Sequence, residues 1–131
     1  MTQEISTILR DLTQELMKLP IKIHVFHGGR SPEAPRKIYP PVIFIFVPAK
    51  IVTYAEFSDD KVFGYSAEIE IKDGNDRVKI RVDSRGLTIA PLTKNSKYKH
   101  VRVPLPMKVN ELSYDSYGDG EFRLVFEIHK P

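Results

Sequence analysis

Hydrophobic and polar positions fall into one helical period followed by many short alternations. Ile5, Ile8, Leu9, Leu12, Leu16 and Leu19 recur at intervals of three and four, the spacing of an amphipathic helix. The pattern predicts a helix from Thr2 to Leu19. Thr2 serves as its cap, Glu4 suits the first turn, and Pro20 stops it. Such a stripe fits the domain's own sheet, and it equally fits a partner or a second copy. Periodicity alone leaves both open.

After Pro20 the period becomes two. Ile21, Ile23 and Val25 alternate with Lys22, His24 and Phe26, which predicts a first strand. Val42 to Val47 is apolar at every position and bounded by prolines, so it predicts a strand covered on both faces. Further strands are expected over 51–57, 67–72, 78–82, 87–90 and 101–106. Turn signals at Asp73-Gly74 and Asp83-Ser84-Arg85-Gly86 separate several of them. Leu112–Tyr117 and Glu121–Ile128 read as a hairpin around Gly118-Asp119-Gly120. Phe122, Leu124, Phe126 and Ile128 share one face of its second strand. Residues 28–41 hold four prolines and two glycines and predict a long exposed loop. Many short strands without βαβ alternation give an all-β, antiparallel sandwich with one N-terminal helix. The helix spans 1–20, and a single sandwich domain spans 21–131.

Composition narrows the function classes. At 131 residues and 41% apolar content, the chain supports one domain with one core. It has no cysteine, which excludes disulfides, thiolate metal sites and cysteine nucleophiles. No apolar run reaches 18 residues, and the N-terminus lacks a basic-then-apolar signal pattern, so a cytoplasmic protein without a membrane span is expected. Three Asn and two Gln against 28% charged residues is a thermophile-like balance. A net charge of +3 is modest for a dedicated nucleic-acid binder.

From about Val62 onward the chain resembles the small heat-shock, or α-crystallin, domain and the CS-type co-chaperone domains of similar architecture. The resemblance rests on four pieces in order: Ala67-Glu68-Ile69-Glu70-Ile71, then Val78 through Ile89 with its Leu87-Thr88-Ile89, then Arg102-Val103-Pro104-Leu105-Pro106, then Gly120-Glu121-Phe122-Arg123-Leu124. It implies a non-enzymatic chaperone or co-chaperone-like adaptor that works without ATP. The departures are Glu121 in the final-strand motif, no Ile-x-Ile anchor after Ile128, and a short segment between Ile89 and Val101. They favour the compact CS-like arrangement over a large oligomeric shell.

Candidate chemistry is sparse. His24 and His27, three apart on or just past a strand, point to opposite faces and cannot share a metal. Gly28-Gly29-Arg30-Ser31 lacks the helix and lysine of a phosphate loop. Glu68 and Glu70 share a strand face of the solvated kind. No nucleophile elbow or Ser-His-Asp set appears. No catalytic residue, metal or cofactor is therefore expected.

The expected function is capture of unfolded or partner proteins through Ile5, Leu9, Leu12 and Leu16 on the helix and Val42, Phe44 and Phe46 on the apolar strand. The helix stripe also allows a homodimer. The alternative is a nucleic-acid-binding module built on Lys94, Lys97, Tyr98, Lys99 and Arg102, with cations for phosphates and a ring for stacking. The same basic run equally suits protection of a sheet edge.

Overall fold

The computed structural model describes residues 2–62 and 64–129. Side chains of residues 2–5, 31, 34 and 35 are outside that description, and with them the Thr2 cap, Glu4 and Ile5.

Helix α1 (Thr2–Leu16) precedes eleven strands among the described residues. They are β1 (Lys22–Phe26), β2 (Gly29–Ser31), β3 (Ala34–Tyr39), β4 (Val42–Pro48), β5 (Val52–Asp60), β6 (Gly64–Asp73), β7 (Asp76–Asp83), β8 (Gly86–Pro91), β9 (Val101–Val103), β10 (Met107–Asp115) and β11 (Glu121–Ile128). Two antiparallel sheets form, ordered β1-β4-β11-β10 and β5-β6-β7-β8-β9. The chain passes between them twice. A single 3-10 turn, Ala49–Ile51, links β4 to β5, and Pro104-Leu105-Pro106 links β9 to β10.

Alternation explains which faces meet. Ile43, Ile45, Val47, Leu124, Phe126, Ile128, Met107 and Val109 point inward from the four-stranded sheet. Ala67, Ile69, Ile71, Val78, Ile80, Val82, Leu87 and Ile89 meet them from the five-stranded sheet in one continuous core. The result is a β-rich, sandwich-like architecture. Strand β10 lies closest to β6 and β7.

Along β1 and the β8–β9 edge, α1 completes the core. Leu9, Leu12, Leu16 and Leu19 join the cluster formed by both sheets. Leu12 and Leu16 have no exposed surface at all. This corrects one expectation: Leu9, Leu12 and Leu16 are covered by their own domain and offer no face to a partner. Burying a leucine side chain contributes roughly 1.5–3 kcal/mol, which favours packing the stripe in cis. The helix ends earlier than Pro20 implies. Leu19 N–H donates to Leu16 C=O in a final tight turn, at 3.1 Å.

Three other local differences have physical causes. Residues 28–41 are not one loop: β2 and β3 pair antiparallel, with a register shift at Ser31. Bulges at Thr53 and Asn110 each add a residue to one strand, so Val52 and Ala55 both face inward despite their odd separation. Strand β10 starts at Met107, where the sequence suggests only a connection. Gly86 explains one close approach. Its φ is 143°, and any Cβ there collides with the Val103 carbonyl oxygen, so only glycine lets β9 cross the start of β8.

Candidate functional site

The outward face of the four-stranded sheet is built by the odd partners of the same alternation. Strand β4 contributes Val42, Phe44, Phe46 and Pro48. In register beside them stand Phe26, His24 and Lys22 on β1, and Glu127, Val125, Arg123 and Glu121 on β11. Strand β4 alone thus carries an apolar row on both faces, and the expected cover on both is corrected: its inward positions are buried, but its outward ones are only half-buried. Phe44 and Phe46 lie nearly parallel with centroids 6.5 Å apart. His24 tilts against Phe44 at 6.0 Å. Phe26 is 50% exposed, whereas Val125 is buried although it points outward, because the neighbouring side chains cover it.

A cleft lies at each end of β4. One, of about 540 Å³, is lined by Pro20, Lys22, Phe46, Pro48, Tyr117 and Glu121. The other, of about 650 Å³, is lined by Leu9, Ile38, Tyr39, Pro41, Glu127 and Ile128, with His27 and His129 at its rim. Both volumes fall within the range of ordinary ligand-sized clefts. The strip between them runs the length of β4, roughly 20 Å for seven residues.

Polar groups frame this strip. Arg123 Nε donates to Glu111 Oε2 at 2.6 Å, and Ser113 Oγ donates to the same oxygen at 2.8 Å. The Ser113 hydroxyl first, and the Arg123 guanidinium second, hold the Glu111 carboxyl below its ordinary range. Asn110 Nδ2 donates to Glu127 at 3.1 Å. On the β1 side the frame is Lys22, exposed and unbranched.

The basic run has a different setting. Lys97 Nζ lies 2.8 Å from Asp73 Oδ2 and 5.3 Å from the centre of the Tyr98 ring. Tyr98 Oη donates to Asp73 at 2.5 Å. Lys97 N–H donates to Asp76 Oδ2. Lys97, then Tyr98, lowers the Asp73 pKa. The Ser96 side chain leads the lowering at Asp76. Burial, then Asp73, raises the Tyr98 phenol well above 10. The ring that a base would stack on is partly buried and tied to the Asp73–Asp76 turn. Arg102 Nη1 donates to Thr88 Oγ1 at 2.9 Å. Lys94 and Lys99 are exposed. Lys97 and Tyr98 tie the 92–100 segment to the β6–β7 turn, whereas Arg102 lies on the edge strand β9.

Val42, Phe44 and Phe46 are therefore brought together on the outward face of the sheet, whereas Leu12 and Leu16 are buried on its inward side. Sequence reasoning identifies those three and misses Phe26 and Val125. Their outward direction is readable from alternation, but their neighbours are set by strand order. Among the described residues no group of three His, Asp or Glu side chains forms a metal-binding cluster, and no helix is long and apolar enough to cross a membrane. In comparisons with known proteins, no family model, no curated protein and no solved structure matches this chain.

Proposed function

We propose that this chain is a non-enzymatic protein-binding module, a small heat-shock-like chaperone or co-chaperone-like adaptor, that holds extended apolar segments along the outer face of β4. The observation that carries the reading is the aromatic strip of Phe26, Phe44 and Phe46 on the outward face of the sheet, opening at Phe46 into the cleft of about 540 Å³. A sheet face that meets only water normally alternates polar residues outward. Contiguous apolar surface on that side costs solubility unless something occupies it. The α-crystallin and CS resemblance of residues 62–128 points the same way, although fold alone does not fix function.

The mechanism follows from the chemistry. A segment with aliphatic or aromatic side chains displaces water from the rings and gains roughly 25 cal/mol per Å² of apolar area removed. Lys22, Arg123 and Glu127 around the rim limit the contact to a strip one segment wide. No step needs a nucleotide.

The test is suppression of aggregation of a heat-unfolding client, followed by light scattering. The native chain is expected to suppress it. Phe44→Thr with Phe46→Glu is expected to abolish suppression while leaving the circular dichroism spectrum unchanged. Glu at 46 stands between Lys22 and Arg123, so the fold tolerates it. Equal suppression by both proteins removes the strip from the reading, and no suppression by the native chain removes the holding function itself.

A further inference from the structure

A second surface, separate from the β4 strip, lies at the free edge of β5. The sheet edges differ in how they are guarded. Strand β9 has three residues and ends at Pro104; β1 has five and carries Lys22; β10 is interrupted by the bulge at Asn110. Beyond its bulge at Thr53, β5 runs regularly from Tyr54 to Asp60 with no lysine and no proline. Such an edge is a template for another strand.

The β5–β6 hairpin also reaches past its neighbour. β6 pairs with β7 only from Ala67 onward, whereas its pairing with β5 continues through Ser66, Tyr65 and Gly64. On this projecting part Phe57 and Tyr65 stack with centroids 5.3 Å apart, at 40% and 45% exposure. They form an apolar shelf on one side of the edge.

On the other side the charge is unbalanced. Residues 52–73 hold six acids and two bases, and residues 76–103 hold two acids and eight bases. Between β6 and β7 the two signs meet: Glu68 lies 3.1 Å from Arg81 and 3.5 Å from Lys79, and Glu70 is in register with Lys79. Between β5 and β6 like charges meet instead, with Glu56 directly opposite Glu68, an unfavourable pairing. No cation lies within salt-bridge distance of Glu56 among the described residues. Its carboxylate accepts only the Ser58 hydroxyl, at 2.6 Å.

We infer that the β5 edge takes an extended, basic segment of another protein as an added strand, one that alternates cations with aliphatic residues. Cations face Glu56, and aliphatic side chains lie on the Phe57–Tyr65 shelf. The sheet already contains the template for this pairing. Strand β7, Arg77-Val78-Lys79-Ile80-Arg81-Val82, has that alternation and matches the acids of β6 in the same way. Affinity comes from the backbone ladder, and selectivity from the charge pattern.

The test uses the full chain and a fluorescein-labelled, end-blocked octapeptide of alternating lysine and valine, read by anisotropy. Binding is expected. It is expected to weaken at least tenfold for three changes: a block peptide with the four lysines first, an alternating peptide N-methylated at every second residue, and the Glu56→Lys chain. Amide exchange within 54–60 is expected to slow when the alternating peptide is bound. Absence of binding overturns the inference. Equal binding of the block or N-methylated peptide also overturns it, because general charge attraction then suffices. Equal binding of a glutamate–valine peptide assigns the edge to strands irrespective of charge and overturns the basic partner. Client suppression by the β4 strip is measured on the same preparation, so either reading can fail alone.

Discussion

The two sheets share one core and differ on their outsides. Across the five-stranded sheet the outward positions of β6 and β7 are charged: Glu68 bridges to Lys79 and Arg81, and Arg81 Nε reaches Asp83 at 3.3 Å. Across the four-stranded sheet the outward positions of β4 are Val42, Phe44, Phe46 and Pro48, with Val125 beside them and the charged Glu121, Arg123 and Glu127 of β11 along one side. Both outsides satisfy the backbone equally well. Ladder hydrogen bonds are indifferent to which side chains face water. The charged outside is what a sheet needs for solubility. The aromatic outside therefore asks for a purpose beyond folding, and of the two outward faces it is the one this contrast marks as a candidate for binding.

Four changes sharpen or break that contrast. The largest effect on stability belongs to neither outside but to what they have in common. Leu16→Ala empties a fully buried position between the sheets and is expected to cost about 2–5 kcal/mol in denaturant unfolding. A loss under about 1 kcal/mol is incompatible with α1 packed in cis. Giving the aromatic face the character of the charged one comes next. Phe44→Thr with Phe46→Glu is expected to cost on the order of 1 kcal/mol per ring, because the rings are only part-buried, yet to eliminate client holding. A large unfolding penalty with holding retained reverses the roles assigned to core and surface. Breaking the charged ladder comes third. Arg81→Ala is expected to cost only about 0.2–1 kcal/mol, less at high salt, and to leave client suppression unaltered.

The smallest effect is in the pH profile. Asp73, Asp76 and Glu111 have lowered carboxyl pKa values in the fold. Their stabilisation is complete above the unfolded carboxylate range, about 4, and is lost as pH falls below it. Lys97 and Tyr98 have raised values. Their stabilisation is complete below about 10 and is lost as pH rises through their folded values. Asp73→Asn removes the partner of both, so thermal unfolding followed against pH is expected to flatten at the acid and the alkaline ends together. A variant altered at one end alone contradicts the shared Asp73 contact.

Much of this architecture is legible in the sequence because period-two alternation is a local signal. Ile69 and Ile71, or Val78, Ile80 and Val82, reveal their inward face without reference to any other strand. What is not legible is non-local or unmarked. Nothing near Leu12 states whether its cover is the same chain or another. The bulges at Thr53 and Asn110 carry no residue signature, so the phase slips unseen. Prolines 32, 35, 40 and 41 suggest an open loop, yet Pro32 lies in the turn and Pro40 and Pro41 follow β3, so only Pro35 falls within a strand, at a position with no ladder partner. Asp73 and Tyr98 are separated by 25 positions, and only the fold reveals that the basic run is tethered. The candidate strip is half legible. Val42, Phe44 and Phe46 announce themselves as an unbroken apolar run, whereas Phe26 and Val125 become its neighbours only through the order β1-β4-β11-β10.

That order has a consequence for synthesis. Strand β11 sits between β4 and β10, so it is made after both of the strands it joins. A ribosome that has translated only as far as residue 120 has released VIFIFV with one flank paired to β1 and the other open. Short, uncharged, β-branched and aromatic runs of this kind are the ones that pair with copies from neighbouring polysomes. Until Glu121–Ile128 emerges, the strand proposed to hold other chains is itself an unprotected segment in need of a holder.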